Sequence, residues 1–194
     1  HRSYSIANPP GEDGLLEIAM SPVPGGLASD GLAALEPGEL IQASGPFGRF
    51  VLREEPACRY VLVGTGTGIT PYRAMLPTLA ERVAAGFSVH ILLGVWRREE
   101  LLFGDDFRAF ADAHGGAEFS ACYSREFPAD PGSWEQAGYV QTRFAQLGLD
   151  PEKDVVYLCG NPGMIDESVE ILKAMGFTLK QLRREKYLSA RPAK

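Results

Sequence analysis

The chain of 194 residues is 45% hydrophobic and 23% charged, so a buried core is feasible and disorder over the whole length is excluded. Its net charge of -6 argues against a general nucleic-acid binder, because affinity for phosphate backbones needs a basic field. The three cysteines are widely spaced, which suggests no disulfide framework, and the three histidines lack metal-ligand spacing, which suggests no metal site. The apolar runs are too short to span a membrane, and there is no signal peptide. We therefore expect a cytoplasmic protein.

The first 55 residues are predicted to be all-β. Short extended runs, separated by clusters of turn residues, cover residues 4–7, 15–20, 40–43 and 50–53.

From residue 59 onwards, strand-like and helix-like patterns alternate. Apolar or extended runs lie at 60–63, 89–93, 117–123 and 155–159. Helical stretches lie at 71–84, 105–113, 142–147 and 163–175. This alternation predicts a parallel sheet with covered faces, whose ligand site lies at the carboxyl ends of the strands. Residues 127–138 are predicted to form a polar surface loop.

A glycine-rich segment, Gly64-Thr65-Gly66-Thr67-Gly68-Ile69-Thr70-Pro71, joins the first of these strands to the first helix. Unobstructed backbone amides at a helix start form an anion site, so we interpret the segment as a phosphate cradle rather than a plain glycine-rich turn. Its spacing differs from the common dinucleotide fingerprint, and no Gly-Lys-Ser/Thr follows, which disfavours a P-loop nucleotidase. The next strand ends in Trp96-Arg97-Arg98, where an NAD-type ribose site would have an acid.

Three ordered segments together resemble the ferredoxin-NADP reductase family of flavoproteins. They are the glycine-rich segment, Cys159-Gly160-Asn161-Pro162-Gly163-Met164, and Arg2-Ser3-Tyr4-Ser5. Residues 45–50, 94–103 and 124–126 are similar to further segments of the family. The resemblance implies an α/β fold in two parts: residues 1–55 as part of an antiparallel β-barrel flavin domain, and residues 56–194 as a parallel-sheet NAD(P)-binding domain.

On the flavin side, the resemblance implies that Arg2 binds the FAD pyrophosphate, that Tyr4 stacks on the isoalloxazine and that Ser5 hydrogen-bonds near N5. Gly25, Gly26 and Ser29 resemble a second phosphate contact, although Ser29 taken alone would be a helix N-cap. Tyr187 would cover the other flavin face and move aside for nicotinamide, and Glu185 is a candidate proton donor.

On the coenzyme side, the implied pyrophosphate contacts are Gly64, Thr65, Gly66, Thr67, Gly68, Thr70 and Pro71. The Cys159 sulfur would lie beside the nicotinamide C4 and align the hydride path rather than attack covalently. Gly160 would permit close approach, and Met164 is a further candidate cofactor contact. Ser124 and Arg125, with added charge from Arg97 and Arg98, would bind the adenosine 2'-phosphate, which favours NADPH over NADH. Solvated arginines are the alternative, and Trp96 stands where the family often has arginine.

The resemblance implies an enzyme that transfers hydride between NADPH and FAD and single electrons to or from a ferredoxin-like iron-sulfur protein. A basic stretch between Lys180 and Lys194 would attract an acidic partner, if it is not simply a solvated terminus. The alternatives are an NADH-dependent reductase component of an oxygenase and a non-catalytic nucleotide-binding subunit of a redox complex.

The family's barrel has strands before the Arg2 segment, yet only His1 precedes it here. About 55 residues do not close a six-stranded barrel, so we expect a fragment whose further strands lie elsewhere rather than a protein that has lost FAD affinity. Mass spectrometry of the native protein should then find a longer chain, and an intact mass of 21.0 kDa would refute this.

Overall fold

A computed structural model describes residues 2–9, 11, 14–54 and 59–188 of the protein. Its strands are β1 (Arg59–Thr65), β2 (Ser88–Val95), β3 (Ala117–Tyr123), β4 (Glu135–Ala137), β5 (Asp154–Gly160) and β6 (Leu182–Lys186). Its α-helices are α1 (Leu27–Ala33), α2 (Thr70–Ala84), α3 (Gly104–Ala113) and α4 (Pro162–Ala174). Shorter 3₁₀ helices span Gly66–Ile69, Arg98–Glu100 and Val140–Gln146. No helix in these described ranges is long and apolar enough to cross a membrane.

The six strands form one parallel sheet in the order β4-β3-β2-β1-β5-β6. The strand order reverses at β1, which has β2 on one side and β5 on the other. β1 and β5 are buried on both faces, as expected for apolar strands with helices above and below. One core layer packs α2 and α3 on the sheet through residues such as Tyr72 and Phe107, and the other packs α4 through residues such as Ile165.

The predicted alternation of strands and helices is confirmed, with three differences. The stretch predicted as a helix at 142–147 is a 3₁₀ helix, Val140–Gln146. The predicted loop at 127–138 contains edge strand β4, and the basic C-terminal stretch contains edge strand β6. Both edge strands are short and rich in polar residues, so they lack the apolar runs that identify the central strands.

The first part of the chain has almost no core of its own. Among the described residues between 2 and 54, the predicted extended runs pair through one antiparallel bridge, Ile6 to Ile18, and the buried residues are Ala7 and Ser29. Nine large apolar side chains in the same range are exposed: Leu15, Leu16, Ile18, Leu27, Leu35, Leu40, Ile41, Phe47 and Val51. Phe50 packs instead against Tyr157 of the sheet, with ring centroids 5.7 Å apart.

Some sequence predictions concern residues outside the described ranges. They are the domain boundary between residues 55 and 56, the state of Cys58, and the terminal cations Arg191 and Lys194.

Candidate active site

The ends of β1 and β5 meet at the reversal of strand order, which is where open α/β sheets bind ligands. The Asn161 amide donates to Thr65 Oγ1 at 2.9 Å and joins the loops that follow the two strands. A Cβ placed on Gly68 would lie 2.6 Å from Gly160 Cα, and Gly160 itself has φ +119°. Glycine is required at both positions because the two loops approach so closely.

The glycine-rich segment forms the 3₁₀ turn Gly66–Ile69 and runs directly into α2, with Pro71 in the first helical turn. Gly66 is exposed at φ +52°, and a Cβ there would meet open space. Two of the predicted phosphate-binding hydroxyls are used to build the loop, since Thr70 Oγ1 donates to Thr67 O at 2.6 Å and Thr65 Oγ1 accepts from Asn161. The exposed backbone at Gly66, in the turn that leads into α2, is therefore better placed to approach a pyrophosphate than these hydroxyls are.

Ser5, Cys159, Glu185 and Tyr187 come together beside this loop. β5 and β6 set Cys159 opposite Glu185, and the Tyr187 amide donates to Gly160 O at 2.8 Å. Tyr187 Oη donates to Ser5 Oγ at 2.5 Å, and Ser5 Oγ donates to Glu185 Oε1 at 3.3 Å. Tyr187 also packs against the core cluster that contains Cys159, close enough for each group to affect the pKa of the other. A continuous chain of polar groups therefore runs from the end of β5 to the Glu185 carboxylate.

Burial decides the ionisation of Cys159 and Tyr187. Desolvation raises the pKa of Cys159 to about 12, against the lowering effect of the hydrogen bond with Tyr187. Burial also raises the pKa of Tyr187, as does the nearby Cys159. Both groups therefore stay protonated at neutral pH, and Cys159 is a thiol rather than the thiolate that nucleophilic attack requires.

The ends of β2 and β3 are tied to each other and carry Arg125. Ser124 N and Oγ donate to Val95 O at 3.0 and 3.2 Å, and Arg125 N donates to Trp96 O at 3.1 Å. The Arg125 Cζ atom lies 3.8 Å from the centroid of the Trp96 ring, and both side chains are exposed. Stacking orients the flat guanidinium while its edge stays available for hydrogen bonds.

The placement of Arg98 argues against its predicted phosphate role. Its guanidinium donates to Glu135 Oε1 and Oε2 at 3.0 and 2.6 Å, and to Asp130 Oδ1 at 2.9 Å. Arg97 likewise lies 3.6 Å from Glu100. Two carboxylates already balance the charge of Arg98, so Arg125 is the better-placed cation for a phosphate.

Glu135 and Tyr123 are important residues that sequence reasoning missed. The Glu135 side chain is 1% exposed and accepts hydrogen bonds from Arg98, from Tyr123 Oη at 2.6 Å and from Gly132 N at 2.8 Å. Burial alone would raise the pKa of Glu135, but these donors lower it to about 2. A glutamate in a polar segment gives no sequence signal that its carboxylate will be buried.

Two other predicted contacts differ from expectation. Met164 is 7% exposed within the core beneath α4, where Ser168 Oγ donates to its Sδ atom at 3.5 Å, which argues against the predicted cofactor contact. Ser29 is not an N-cap, because α1 begins after Gly26 and the Ser29 hydroxyl donates to Val23 O and Gly26 O, both at 3.0 Å.

The remaining predicted flavin contacts lie in the first part of the chain. Arg2 is exposed and Tyr4 is half-buried. Gly25 adopts φ +72° in the exposed turn before α1, so its backbone uses a conformation that favours glycine. Ser5 lies in the same segment as Arg2 and Tyr4, and its hydrogen bonds to Glu185 and Tyr187 join this segment to the cluster around Cys159.

Two domain families match the sequence. The oxidoreductase FAD-binding domain matches residues 1–52, and the oxidoreductase NAD-binding domain matches residues 62–170. Ferredoxin--NADP reductase B of Sorangium cellulosum is 31% identical over 195 residues, covering 96% of this chain and 78% of that protein. The toluate 1,2-dioxygenase electron transfer component of Pseudomonas putida is 31% identical over 190 residues, covering 97% of this chain. The chain spans 54% of the length of that second relative.

Solved structures share the fold. The Amycolatopsis reductase GcoB superposes with a TM-score of 0.82 at 30% identity, over 94% of this chain and 55% of that one. A ferredoxin NADP+ reductase from Neisseria gonorrhoeae with bound FAD and NADP superposes with a TM-score of 0.76 at 22% identity, over 95% of this chain and 79% of that one.

Proposed function

Because this chain belongs to the ferredoxin-NADP reductase family of flavoprotein oxidoreductases, we propose that it transfers hydride between a nicotinamide coenzyme and FAD. The observation that carries this proposal is the cluster of Ser5, Cys159, Glu185 and Tyr187 beside the glycine-rich loop. FAD, when bound, would supply the atom that accepts hydride and would release electrons one at a time. The protein residues have the tasks of binding, alignment and proton movement.

The two parts of the chain divide these tasks. We propose that residues 1–55 belong to the flavin domain and residues 56–194 form the coenzyme domain, although the first family match ends at residue 52. The nine exposed apolar side chains of the first part support its being completed by further barrel strands in the whole protein. Arg2, Tyr4, Gly25 and Gly26 remain candidate flavin contacts.

Coenzyme binding would use both sides of the strand-order reversal. The backbone from Gly66 to the start of α2 would hold the pyrophosphate, and Ser124 with Arg125 would hold the adenosine 2'-phosphate of NADPH. Gly160 allows the end of β5 to lie close against Thr65 of the glycine-rich loop, and the protonated thiol of Cys159 suits packing and alignment.

The polar chain offers a route for a proton. Ser5 Oγ is hydrogen-bonded to both Tyr187 Oη and Glu185 Oε1, so a proton can pass between the Glu185 carboxyl and the Ser5 hydroxyl. Glu185 is half-buried, which leaves this carboxylate partly accessible to water. Ser5 is the group that the family resemblance assigns to the hydride-accepting atom.

A ferredoxin-like iron-sulfur protein is the partner that we propose. Exposed cations on edge strand β6 and the turn before it, Lys180 and Arg184 among them, would attract an acidic carrier. The buried free thiols of Cys122 and Cys159 are compatible with a reducing cytoplasm, where we place the protein.

An absorbance spectrum followed by anaerobic addition of NADPH, and separately NADH, tests the proposal. The wild-type spectrum should contain flavin bands, and the coenzyme should bleach them. Bleaching should be slower by about 10-fold or more in Cys159→Ala, because the hydride path is misaligned in that variant. Cys122→Ala is the matched control, since Cys122 is an equally buried free cysteine on the other face of the sheet. A protein that shows no flavin bands as purified, and none after incubation with FAD and removal of the unbound flavin, would contradict the proposal.

An oxygenase reductase component is the second candidate. Its support is the similarity to the toluate dioxygenase component and the involvement of Arg98 with two carboxylates, which leaves few cations for a 2'-phosphate. A kcat/KM for NADH above that for NADPH would favour this candidate.

A further inference from the structure

Arg73 of α2 joins three separate parts of the molecule through one guanidinium group. Its Nε donates to Asp106 Oδ2 of α3 at 2.5 Å. Its Nη1 donates to Ala7 O at 3.3 Å and pairs with the Glu17 carboxylate, both in the first part of the chain. Its Cζ atom lies 4.5 Å from the centroid of the Phe103 ring. A planar group with several donors can hold these partners in fixed directions, which an ammonium group does less well.

The segment that Arg73 contacts leads directly to the active-site cluster. Ala7 is fully buried, and its amide donates to Glu17 O at 2.8 Å. Ser5 lies two residues earlier and is hydrogen-bonded to Tyr187 and Glu185 at the end of β6. The segment 5–7 is therefore attached at one end to β6 and at the other end to α2.

α2 is also the helix that begins at the glycine-rich loop. Arg73 stands three residues after Thr70, the first residue of the helix. A movement of segment 5–7 relative to α2 would therefore change the separation between Ser5 and the coenzyme-binding loop.

The stacking partner of Arg73 is held in an uncommon backbone conformation. Phe103 has φ 56° and ψ 22°, in the left-handed region that non-glycine residues seldom adopt, and it immediately precedes α3. Such a conformation persists only where the surroundings define it well. Arg73 contacts the Phe103 ring just before α3 and pairs with Asp106 in the first turn of α3. These two contacts fix the start of α3 against α2.

We propose that Arg73 is a positioning residue for hydride transfer: it sets the placement of Ser5 relative to Cys159 and the glycine-rich loop. The inference rests on the proposed function and concerns a residue outside the active-site cluster. Arg73 acts through Ala7, Glu17 and the start of α3, and not on the reacting atoms.

The test compares Arg73→Lys with Arg82→Lys in the full chain. Arg82 lies on the same helix, with a ring contact to Phe87 at 5.9 Å and an ion pair to Glu54 at 3.7 Å, so its replacement makes a matched control. Stopped-flow bleaching at saturating coenzyme should slow by about 10- to 100-fold in Arg73→Lys, because a displacement near 1 Å has effects of that size. The coenzyme Kd, taken from the concentration dependence, should stay within about twofold, since the loop itself is intact. Arg82→Lys should match the wild type in both quantities.

Equal bleaching rates for Arg73→Lys and wild type would overturn the inference. A parallel loss of rate, coenzyme affinity and melting temperature would also overturn it, because that pattern indicates general destabilisation rather than positioning. Glu17→Gln supplies a milder variant if Arg73→Lys does not fold, and the same split between rate and Kd is expected.

Amide hydrogen exchange separates this inference from the proposed function. Exchange at the Ala7 amide should accelerate in Arg73→Lys and stay unchanged in Arg82→Lys, whether or not the protein reduces flavin. If the wild-type protein reacts with neither coenzyme, the proposed function fails. If exchange at the Ala7 amide is also unchanged in Arg73→Lys, the inference that Arg73 holds segment 5–7 against α2 fails as well.

Discussion

Replacing Glu135 by glutamine tests how far one buried carboxylate stabilises the ends of β2, β3 and β4. Glu135 has a pKa of about 2 in the folded protein against an ordinary value of 4.5. The difference corresponds to about 3 kcal/mol of stability at neutral pH. Arg98, a principal partner, has a side chain that is 39% exposed, so solvent screening reduces the expected contribution to about 2 kcal/mol.

The sign of the pH dependence follows from the direction of the pKa shift. Because the folded pKa of Glu135 is depressed, its stabilising contribution is complete above about pH 5 and is lost as the pH falls towards 2. We expect Glu135→Gln to be about 2 kcal/mol less stable than wild type at pH 7, with a melting temperature lower by roughly 4 to 8 °C. The difference between the two proteins should shrink steadily below pH 5.

Urea unfolding at a series of pH values measures this difference directly. Subtracting the two curves removes the contributions of the other carboxylates, which titrate in both proteins. Glu170→Gln is a suitable control, because Glu170 is 74% exposed and pairs with Lys173 on the surface of α4. The reasoning is refuted if Glu135→Gln and Glu170→Gln have the same stability at pH 7, or if the Glu135→Gln difference persists unchanged at low pH.

Three further predictions concern the site. Gly160→Ala should lower the free energy of unfolding by roughly 1 to 3 kcal/mol, measured by thermal unfolding. The φ of +119° is strained for alanine, and the new Cβ would lie 2.6 Å from Thr65 Oγ1. Gly148→Ala is the control and should have a smaller effect, because Gly148 has φ +56° and a Cβ there would meet open space. Arg125→Ala should raise KM for NADPH by about 10-fold or more through loss of a charge-assisted hydrogen bond, and an equal rise for NADH would refute a 2'-phosphate contact. Raising the ionic strength to about 0.5 M should slow electron transfer to an acidic iron-sulfur protein several-fold, measured by acceptor reduction, and salt-independent transfer would argue against docking through the β6 cations.

Local patterns were sufficient to predict the central part of the fold. β1, β2 and β5 are apolar runs because helices cover both of their faces, and the alternating helices have clear starts such as Pro71. β4 and β6 were not predicted because a strand at a sheet edge can be short and polar. Their positions depend on pairing with β3 and β5, which no local pattern records.

The candidate site was only partly predictable for a similar reason. The glycine-rich loop begins at the end of β1 and Cys159 lies at the end of β5, so the sheet topology alone places them together. The hydrogen bond between Tyr187 and Ser5 joins residues 182 positions apart, and only the family resemblance suggested that they meet. The pairing of Arg98 with Glu135 was missed because a sequence shows where cations stand but not which carboxylates they face.

Under the proposed function, Tyr187 and a nicotinamide ring would compete for the same position beside Cys159. Cys159 is fully buried, and Tyr187 packs against the core cluster that contains it and donates a hydrogen bond to Ser5. A ring that reaches Cys159 therefore has to displace Tyr187, and the same displacement releases the Ser5 hydroxyl. If the proposed function is correct, vacating this position and freeing Ser5 would be one event. Part of the binding free energy of the coenzyme would be consumed in that exchange, and the return of Tyr187 would favour release of the product ring.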